Sequence, residues 1–346
     1  MESAIYKIKD IPTWAYDFAL GEWCDVSSSS TAHTGSKPLG QDLKIATFNV
    51  LLDQYDDKVY HPHFLYPEDR YQAVADELAK MDLDVICLNE CTKTCLAIME
   101  KQDWIQKSYY LSESTKNGCE SLGYRNFGNC IFSRVQPHSF QTLTLAELKS
   151  RPVILADFSV KTSRNSNESF VVAATHLTAR TGNHPRRARE LTRLYEALDK
   201  NFSSHDHYLI LGDLNFHAEH ERSSIRFDYQ DIWTALYDLE EHPGYTWNAQ
   251  ENLMSRQIWP VFENRKMRLD RILYKAKSVD HSFEPKKMEI FGNKPIYNPE
   301  DQKSRTGLFR MLGNKMGDLF TKNLRDKEEY LYCSDHYGLW VNFHAQ

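Results

Sequence analysis

No run in this 346-residue chain is apolar for long enough to cross a bilayer. Its first residues, Met1-Glu-Ser-Ala-Ile-Tyr-Lys-Ile-Lys-Asp10, lack the apolar stretch of a secretory signal. Cysteine is present seven times, an odd number, and never as a C-x-x-C pair. That argues against a zinc site or a disulfide framework, so Cys87, Cys91 and Cys95 read as free thiols of a reducing compartment. These absences predict an intracellular protein without a membrane span, in the nucleus, the cytoplasm or both. A basic excess is also missing. The net charge of −6 is not that of a protein that coats nucleic acid by general electrostatics, although it allows a local basic groove. There is no internal repeat.

What is present is enough apolar sequence, 41% with 12% aromatic, to build a sizeable core in one large domain or two ordinary ones. Residues 25–42 are rich in Ser, Thr and Gly and read as a flexible linker. The preceding segment carries Trp14, Tyr16, Phe18 and Trp23, which suits a small docked arm because those rings are costly to leave in water. From Leu43 onward β-branched runs alternate with helical patterns. Ala73, Val74, Leu78 and Ala79 form one helical stripe, and Leu191, Leu194, Tyr195 and Leu198 form another. Gly128–Ser133 and Tyr337–Phe343 read as strands. The alternation implies a sheet-based domain covered by helices. Two stretches read as insertions. Thr162–Ser169 is a polar hairpin tip. Residues 293–330, with Lys303, Arg305, Arg310, Lys315, Lys322, Arg325 and Lys327, are either a solvated excursion or a basic flap over an active face.

Six segments place a polar residue at or just past the end of an apolar run. They are Lys44–Asn49, Asp84–Glu90, Val171–His176, Tyr208–Asn215, Arg268–Tyr274 and Ser334–His336. Glu90 ends one such strand and Asn49 another. Mg²⁺ takes hard oxygen ligands and keeps several waters, so one or two carboxylates with an assisting amide oxygen suffice to hold it. Asp213 and Asn215 are two apart and share one face of an extended chain, which suits one to orient a water and the other to meet a phosphate oxygen. His336 follows Asp335, and Asp270 lies on a separate run. A carboxylate behind an imidazole fixes its tautomer and favours the cation that a developing phosphate charge needs. His176 ends its own strand and is placed to assist from another side.

The ordered set Phe48-Asn49, Asn89-Glu90, Thr175-His176-Leu177, Gly212-Asp213-Leu-Asn215, Leu269-Asp270-Arg271-Ile272 and Ser334-Asp335-His336 resembles the endonuclease/exonuclease/phosphatase superfamily. The resemblance covers residues 43–346, leaving 1–42 as arm and linker. It implies an α+β fold, a four-layer α/β/β/α sandwich of two packed mixed sheets flanked by helices. It also implies Mg²⁺-dependent hydrolysis of a phosphate ester, with Mn²⁺ as an acceptable substitute. By the family pattern Glu90 binds metal with Asn49 and Asp335. Asp213 and Asn215 position water and phosphate, and His336, backed by Asp270, acts with His176 on the transition state. Within the superfamily, Asp231-Ile-Trp233, Gly244–Asn248, Arg268–Leu273 and Ser334–Leu339 are similar to the tyrosyl-DNA phosphodiesterase 2 family. That likeness implies a nucleic-acid end as substrate. It places Trp247 in the substrate groove, with a core anchor as the alternative, and puts His217 where the family has a basic substrate-binding residue.

One departure changes the expected substrate. Leu51 stands where that family has Asp, and Asn49-Val-Leu51 resembles the deadenylase and sphingomyelinase branches. An RNA 3′ end or a phospholipid headgroup is therefore the alternative to a 5′-tyrosyl DNA end. A non-enzymatic scaffold is disfavoured, since the other motif positions are filled. Arg180, Arg186, Arg187, Arg189 and Arg193 follow the His176 strand and either meet a phosphate backbone or solvate a helix.

Overall fold

The computed structural model describes residues 6–28, 42–53, 66–123, 126–145, 151–162, 166–262, 264–278, 283–296 and 331–345. In chain order the first strands are β1 (Tyr6–Ile11), β2 (Trp14–Asp17), β3 (Glu22–Asp25) and β4 (Asp42–Asn49). Then come α1 (Pro67–Ala79), β5 (Val85–Thr92), α2 (Lys93–Glu100), α3 (Asp103–Ser108), β6 (Tyr110–Leu111) and β7 (Phe127–Ser133). The middle of the chain forms β8 (Ser139–Leu145), β9 (Val153–Lys161), β10 (Asn167–His176), α4 (His184–Asn201) and β11 (His207–Asp213). The remainder forms β12 (Gln230–Asp231), α5 (Ile232–Leu236), β13 (Trp247–Asn248), α6 (Leu253–Ile258), β14 (Lys266–Met267), β15 (Asp270–Ala276), β16 (Phe283–Phe291) and β17 (Gly338–Ala345).

These strands make two large mixed sheets. One has seven strands in the order β1-β8-β9-β10-β11-β15-β12, and the other eight in the order β16-β17-β4-β5-β7-β6-β2-β3. Side chains alternate across each strand, and here both faces are apolar. On β10, Val172 and Ala174 join Ile45, Val85 and Ile131 of the other sheet in the inter-sheet core. Val171 and Ala173 on the opposite face meet Leu191, Leu194 and Leu198 of α4. On the far side, Phe48, Ile86 and Leu88 pack against Tyr71, Val74, Leu78 and Leu96 of α1 and α2. Three apolar layers therefore separate four structural layers, the expected sandwich. Both helical stripes read from sequence are present, α1 starting earlier than the stripe because Pro67 opens it with Glu68 and Asp69 in the first turn.

The segment read as an arm lies within the sheets. β1 pairs along β8 at the edge of the seven-stranded sheet, and β2 joins β6 in the other, with β3 as its edge. Trp14 and Trp23 are buried against the layer beneath α2 and α3. Residues 29–41 of the expected linker, 163–165 of the hairpin tip and 297–330 of the expected insertion lie outside the described residues.

The register positions the chemistry. β10 and β11 run parallel with His176 opposite Asp213, and β11 and β15 run antiparallel with Asp213 opposite Asp270. His176, Asp213 and Asp270 are thus one rung across three adjacent strands. In the second sheet β4 and β5 are parallel with Asn49 opposite Asn89. Parallel neighbours end at the same pole, so the residues at both pairs of strand ends converge.

Candidate active site

A β-bulge between Leu88 and Cys91 interrupts the pairing of β5 with β7, and Glu90 sits in it with φ 57°. Leu51 and Asn215, each two residues beyond a chemistry-bearing position, are also left-handed, with φ of 56° and 53°. Such conformations cost about 1–2 kcal/mol each in non-glycine residues and persist where local bonds fix them. Those bonds are present. The Leu51 N–H donates to Asn49 Oδ1 at 3.1 Å, the Leu52 N–H to Glu90 Oε2 at 3.0 Å, and the Asn215 N–H to Asp213 Oδ1 at 2.8 Å. Gly212 is held by close approach: a Cβ there would lie 1.9 Å from the Thr175 carbonyl oxygen.

Eight of the ten sequence-predicted residues meet at this pole. Asn49 Nδ2 donates to Asp213 Oδ2 at 3.1 Å and to Glu90 Oε1 at 3.3 Å. His176 Nε2 is 3.3 Å from Asp213 Oδ2, and its Nδ1 is 3.9 Å from Glu90 Oε1. His336 Nδ1 lies 2.8 Å from Asp270 Oδ2, and its Nε2 3.9 Å from Asp213 Oδ2. Asn215 Nδ2 donates to the Leu177 carbonyl at 3.2 Å, using one of its two amide hydrogens. The turn that carries Asp335 and His336 is tied to the first motif, because Ser334 Oγ donates to the Asn49 carbonyl at 2.6 Å.

One expected contact is reversed. The Asn49 amide oxygen, read from sequence as a metal ligand, is engaged by the Leu51 N–H, and its NH₂ faces the two carboxylates. Amide hydrogens are attracted to carboxylates that would repel an amide oxygen, so in this arrangement Asn49 bridges Glu90 and Asp213 as a donor.

Trp247 is not in a groove. It is 3% exposed and packs with Ala249, Met267 and Leu269, which makes it the core anchor. The sequence could not separate these readings, because an apolar ring suits both. His217 stands at the edge of the site, half-buried, with neither ring nitrogen hydrogen-bonded. Of the arginines after β10, Arg187 is fully buried against Glu221, with an Nη2–Oε2 distance of 2.6 Å, and donates to the Thr178 and Arg180 carbonyls. Arg186 and Arg193 pair with Glu190 and Glu196, while Arg180 and Arg189 are exposed.

Three residues carry roles that the sequence did not signal. Arg151, just before β9, brings Nη1 within 2.9 Å of His176 Nε2. Its place depends on the β9–β10 pairing, which has no local motif. Asn89 Nδ2 donates to the Thr175 carbonyl at 3.1 Å, and its Oδ1 accepts the Asp213 N–H at 3.0 Å, joining the sheets. Trp259 Nε1 donates to Asp335 Oδ2 at 3.0 Å.

The electrostatics follow from four carboxylates in one place, Asp213, Asp270 and Asp335 buried and Glu90 partly so. Burial, reinforced by the Asp335 carboxylate, raises the Glu90 pKa. Burial likewise raises that of Asp213, with Asp270 and Glu90 adding to the rise and His336 opposing it. Burial, the Arg151 guanidinium and His336 hold His176 well below the usual imidazole range, so it is neutral. For His336 burial acts downward, but the Asp270, Asp335 and Asp213 carboxylates win and keep it cationic. The sequence expectation of a cationic His336 and an assisting His176 thus becomes one imidazolium and one neutral imidazole, with Arg151 as the cation on the second side. The ligand atoms of Asp213, Asp270 and His336 lie within 4.8 Å of one another, and Asp270 Oδ1 has no hydrogen-bond partner. As an imidazolium His336 offers no lone pair to a cation. The hard oxygens of Glu90 and Asp335, close enough for Asp335 to raise the Glu90 pKa, are therefore the set that fits a divalent cation, and they differ from the softer N/S set of a zinc site.

Comparison with known proteins agrees with this geometry. Drosophila melanogaster "Protein angel" is 28% identical over 186 residues, 50% of this chain and 52% of that protein, so the match spans about half the length of that curated relative. The structure of D. rerio TDP2 complexed with single strand DNA product superposes with a TM-score of 0.57 at 18% identity, covering 88% of this chain and 99% of that one. Truncated Caenorhabditis elegans TDP2 gives 0.58 at 16% identity over 88% and 98% of the two chains. At such identities these structures share the fold. The family model described as "Endonuclease/Exonuclease/phosphatase family" matches residues 46–336, from the strand that ends in Asn49 to the histidine that Asp270 holds, and the chain belongs to that family.

Proposed function

We propose that this protein is a Mg²⁺-dependent phosphodiesterase that hydrolyses a phosphate ester at a nucleic-acid end. The observation that carries this reading is the rung His176–Asp213–Asp270 facing Glu90 across the sheet interface, with His336 held by Asp270 at 2.8 Å. Mg²⁺, held by Glu90 and Asp335, would supply charge neutralisation at the non-bridging and leaving oxygens. Asp213 orients the attacking water and takes its proton. The raised pKa of its carboxyl brings it toward the range in which a general base works best near neutral pH. His336, cationic and fixed by Asp270, stabilises the charge that develops on the phosphate. Asn215 and Arg151 add donors on the other side, and neutral His176 packs between Asp213 and Arg151. A tyrosyl phenolate leaves more readily than an alkoxide, so such a substrate needs little acid assistance.

The rim supports a nucleic-acid substrate. Beyond α6, half-buried Trp259 meets Asp335, exposed Val261 follows it, and half-buried Phe262 packs on Trp247 with the Arg265 guanidinium 4.9 Å from its ring centroid. Rings interleaved with a guanidinium suit unpaired bases and a phosphate backbone. Structural kinship to a protein solved with a single-strand DNA product favours the same class. An RNA 3′ end is the second reading, favoured by Leu51. Its side chain is buried among Met254, Ile258 and Tyr332 and offers no polar group to a DNA end.

The test is a panel of 5′-tyrosyl single-stranded DNA, poly(A), abasic duplex DNA and sphingomyelin, each with Mg²⁺ and with a chelator. The expected result is Mg²⁺-dependent release of tyrosine, lost in Asp213→Asn. Turnover of poly(A) alone selects the second reading. Absence of turnover on every substrate, or activity equal to that of Asp213→Asn, overturns the proposal.

A further inference from the structure

Asp335 is 4% exposed, and the direction of a buried carboxylate is set by the donors that meet it. Its own turn offers little: Ser334 Oγ lies 3.3 Å from Oδ1, but its single hydrogen goes to the Asn49 carbonyl at 2.6 Å. The donor comes from a distant part of the chain. The short helix α6 and the residues flanking it reach this turn three times. Asn252 Nδ2 donates to the Ser334 carbonyl at 2.9 Å, Ser255 Oγ to the Asp335 carbonyl at 2.8 Å, and Trp259 Nε1 to Asp335 Oδ2 at 3.0 Å. The grip is itself braced. Asn252 caps α6 through the Ser255 N–H at 3.0 Å, and both side chains are fully buried. Met254 and Ile258 on α6 pack against Leu51, Leu331, Tyr332 and Tyr337. One small element therefore touches both flanks of the pocket, the turn after Asn49 and the turn that carries Asp335.

We infer that α6 and Trp259 form a clamp that aims the Asp335 carboxylate into the pocket, with Trp259 a positioning residue for the divalent cation. The inference rests on the reading of this pocket as a Mg²⁺ site. An indole N–H donates and neither accepts nor ligates, so it cannot compete for the cation or exchange a proton at neutral pH. It fixes one carboxylate oxygen and leaves the other to the ion. Partners of this kind orient metal ligands from behind, and their loss typically costs about 10- to 100-fold in metal affinity. The same indole lies at the aromatic rim, so the rim and the metal pocket share one hydrogen bond.

Calorimetric titration of Mg²⁺ into the full chain tests this without substrate. Trp259→Phe, which keeps the ring and removes the donor, is expected to weaken Mg²⁺ binding about tenfold or more. Arg256→Ala, an exposed change on the same helix, is expected to leave it unchanged. In an Asp335→Asn background Trp259→Phe is expected to add nothing, because the group it positions is gone. Intrinsic fluorescence of the wild type should respond to Mg²⁺, and the response should be reduced in Trp259→Phe. A purely structural role would lower the melting temperature and leave the Mg²⁺ affinity of the folded protein intact. Equal affinities for wild type and Trp259→Phe, or an equal loss in the Asp335→Asn background, overturn the clamp. A wild type that takes up no Mg²⁺ overturns the metal reading and the clamp with it. Should Trp259→Phe fail to fold, Ser255→Ala, which removes the donor to the Asp335 carbonyl, carries the same comparison.

Discussion

Asn89 accepts the backbone N–H of Asp213 across the sheet interface at 3.0 Å, and its amide hydrogens go to the Thr175 carbonyl and to Asn129 Oδ1 at 2.7 Å. A single fully buried side chain thus fixes the relative height of three strand ends, those of Glu90, His176 and Asp213. Replacement by Ala leaves a buried amide N–H and a carbonyl without partners, at about 1–3 kcal/mol each in the worst case. We expect Asn89→Ala to lower the urea midpoint by a few kcal/mol equivalent and to reduce activity further than its folded fraction explains. A variant with wild-type stability and turnover would show that the bridge holds nothing in place.

Asp231 is buried between Arg268 and Arg271, with oxygen–nitrogen distances of 2.8 and 2.6 Å. Burial alone would raise its pKa, but the two guanidiniums prevail and lower it. The sign follows: a carboxylate depressed in the folded state stabilises fully above its unfolded value of about 3.9. That contribution disappears as pH falls through the lower folded value. Asp231→Asn strands two buried cations, a change that typically costs about 3–5 kcal/mol. The expected signature is a large loss of melting temperature at pH 7 and a difference from wild type that shrinks as pH falls below the unfolded value of about 3.9 toward the lower folded one. A difference that stays constant with pH would show that the ion pair is not what stabilises this strand end.

The site was readable because its residues sit at strand ends, where an apolar run stops on a polar side chain. Asn49, His176 and Asp213 close their strands as that pattern requires, whereas Asp270 opens β15 and Glu90 sits in a bulge two residues before the end of β5. Convergence of the strand ends follows from parallel pairing of β4 with β5 and β10 with β11. The helices α1 and α4 were readable from period alone. What stayed hidden depends on tertiary contact. Arg187 looks like its exposed neighbours in sequence, yet Glu221 and two carbonyls draw it fully inside. Trp247 and Trp259 are both aromatic residues near the site, and only packing tells that the first is core and the second touches Asp335. The side from which Asn49 offers its amide depends on the charges around it, which no spacing encodes.

His217 gives a second pH dependence, of known sign. Burial, with Arg187 beside it, pushes its pKa down to about 4. An unfolded histidine takes up its proton near pH 6.5, as a rough value. Between these values the unfolded chain binds more protons than the folded one, so stability is full above the upper value and falls as pH drops toward the lower. His217→Gln removes the group and with it this contribution. Melting temperatures from pH 7.5 down to pH 4.5, as rough limits, are expected to fall less steeply in the variant. Parallel curves would mean that the imidazole titrates alike in both states.

Arg151 provides the sharpest test of how the pocket handles negative charge. It is half-buried and lies outside the helices, with its guanidinium beside His176 and a longer contact of 3.4 Å to the Leu177 carbonyl. It is one half-buried side chain just before a strand, so Arg151→Gln should cost only a modest part of the stability. Its charge, however, is the one that keeps His176 neutral alongside burial and opposes the accumulated carboxylates at Glu90. A cation so placed stabilises a phosphate that carries more charge in the transition state than in the ground state. Loss of one such preorganised donor typically costs about 10²–10³ in kcat. The expected result for Arg151→Gln is therefore a fall of that order in kcat with only a modest loss of stability. Arg151→Lys should recover only part, since it restores the charge without the forked geometry. A variant that loses stability and turnover in proportion would assign Arg151 to the scaffold. A variant with unchanged kcat would leave His336 as the cation that meets the phosphate.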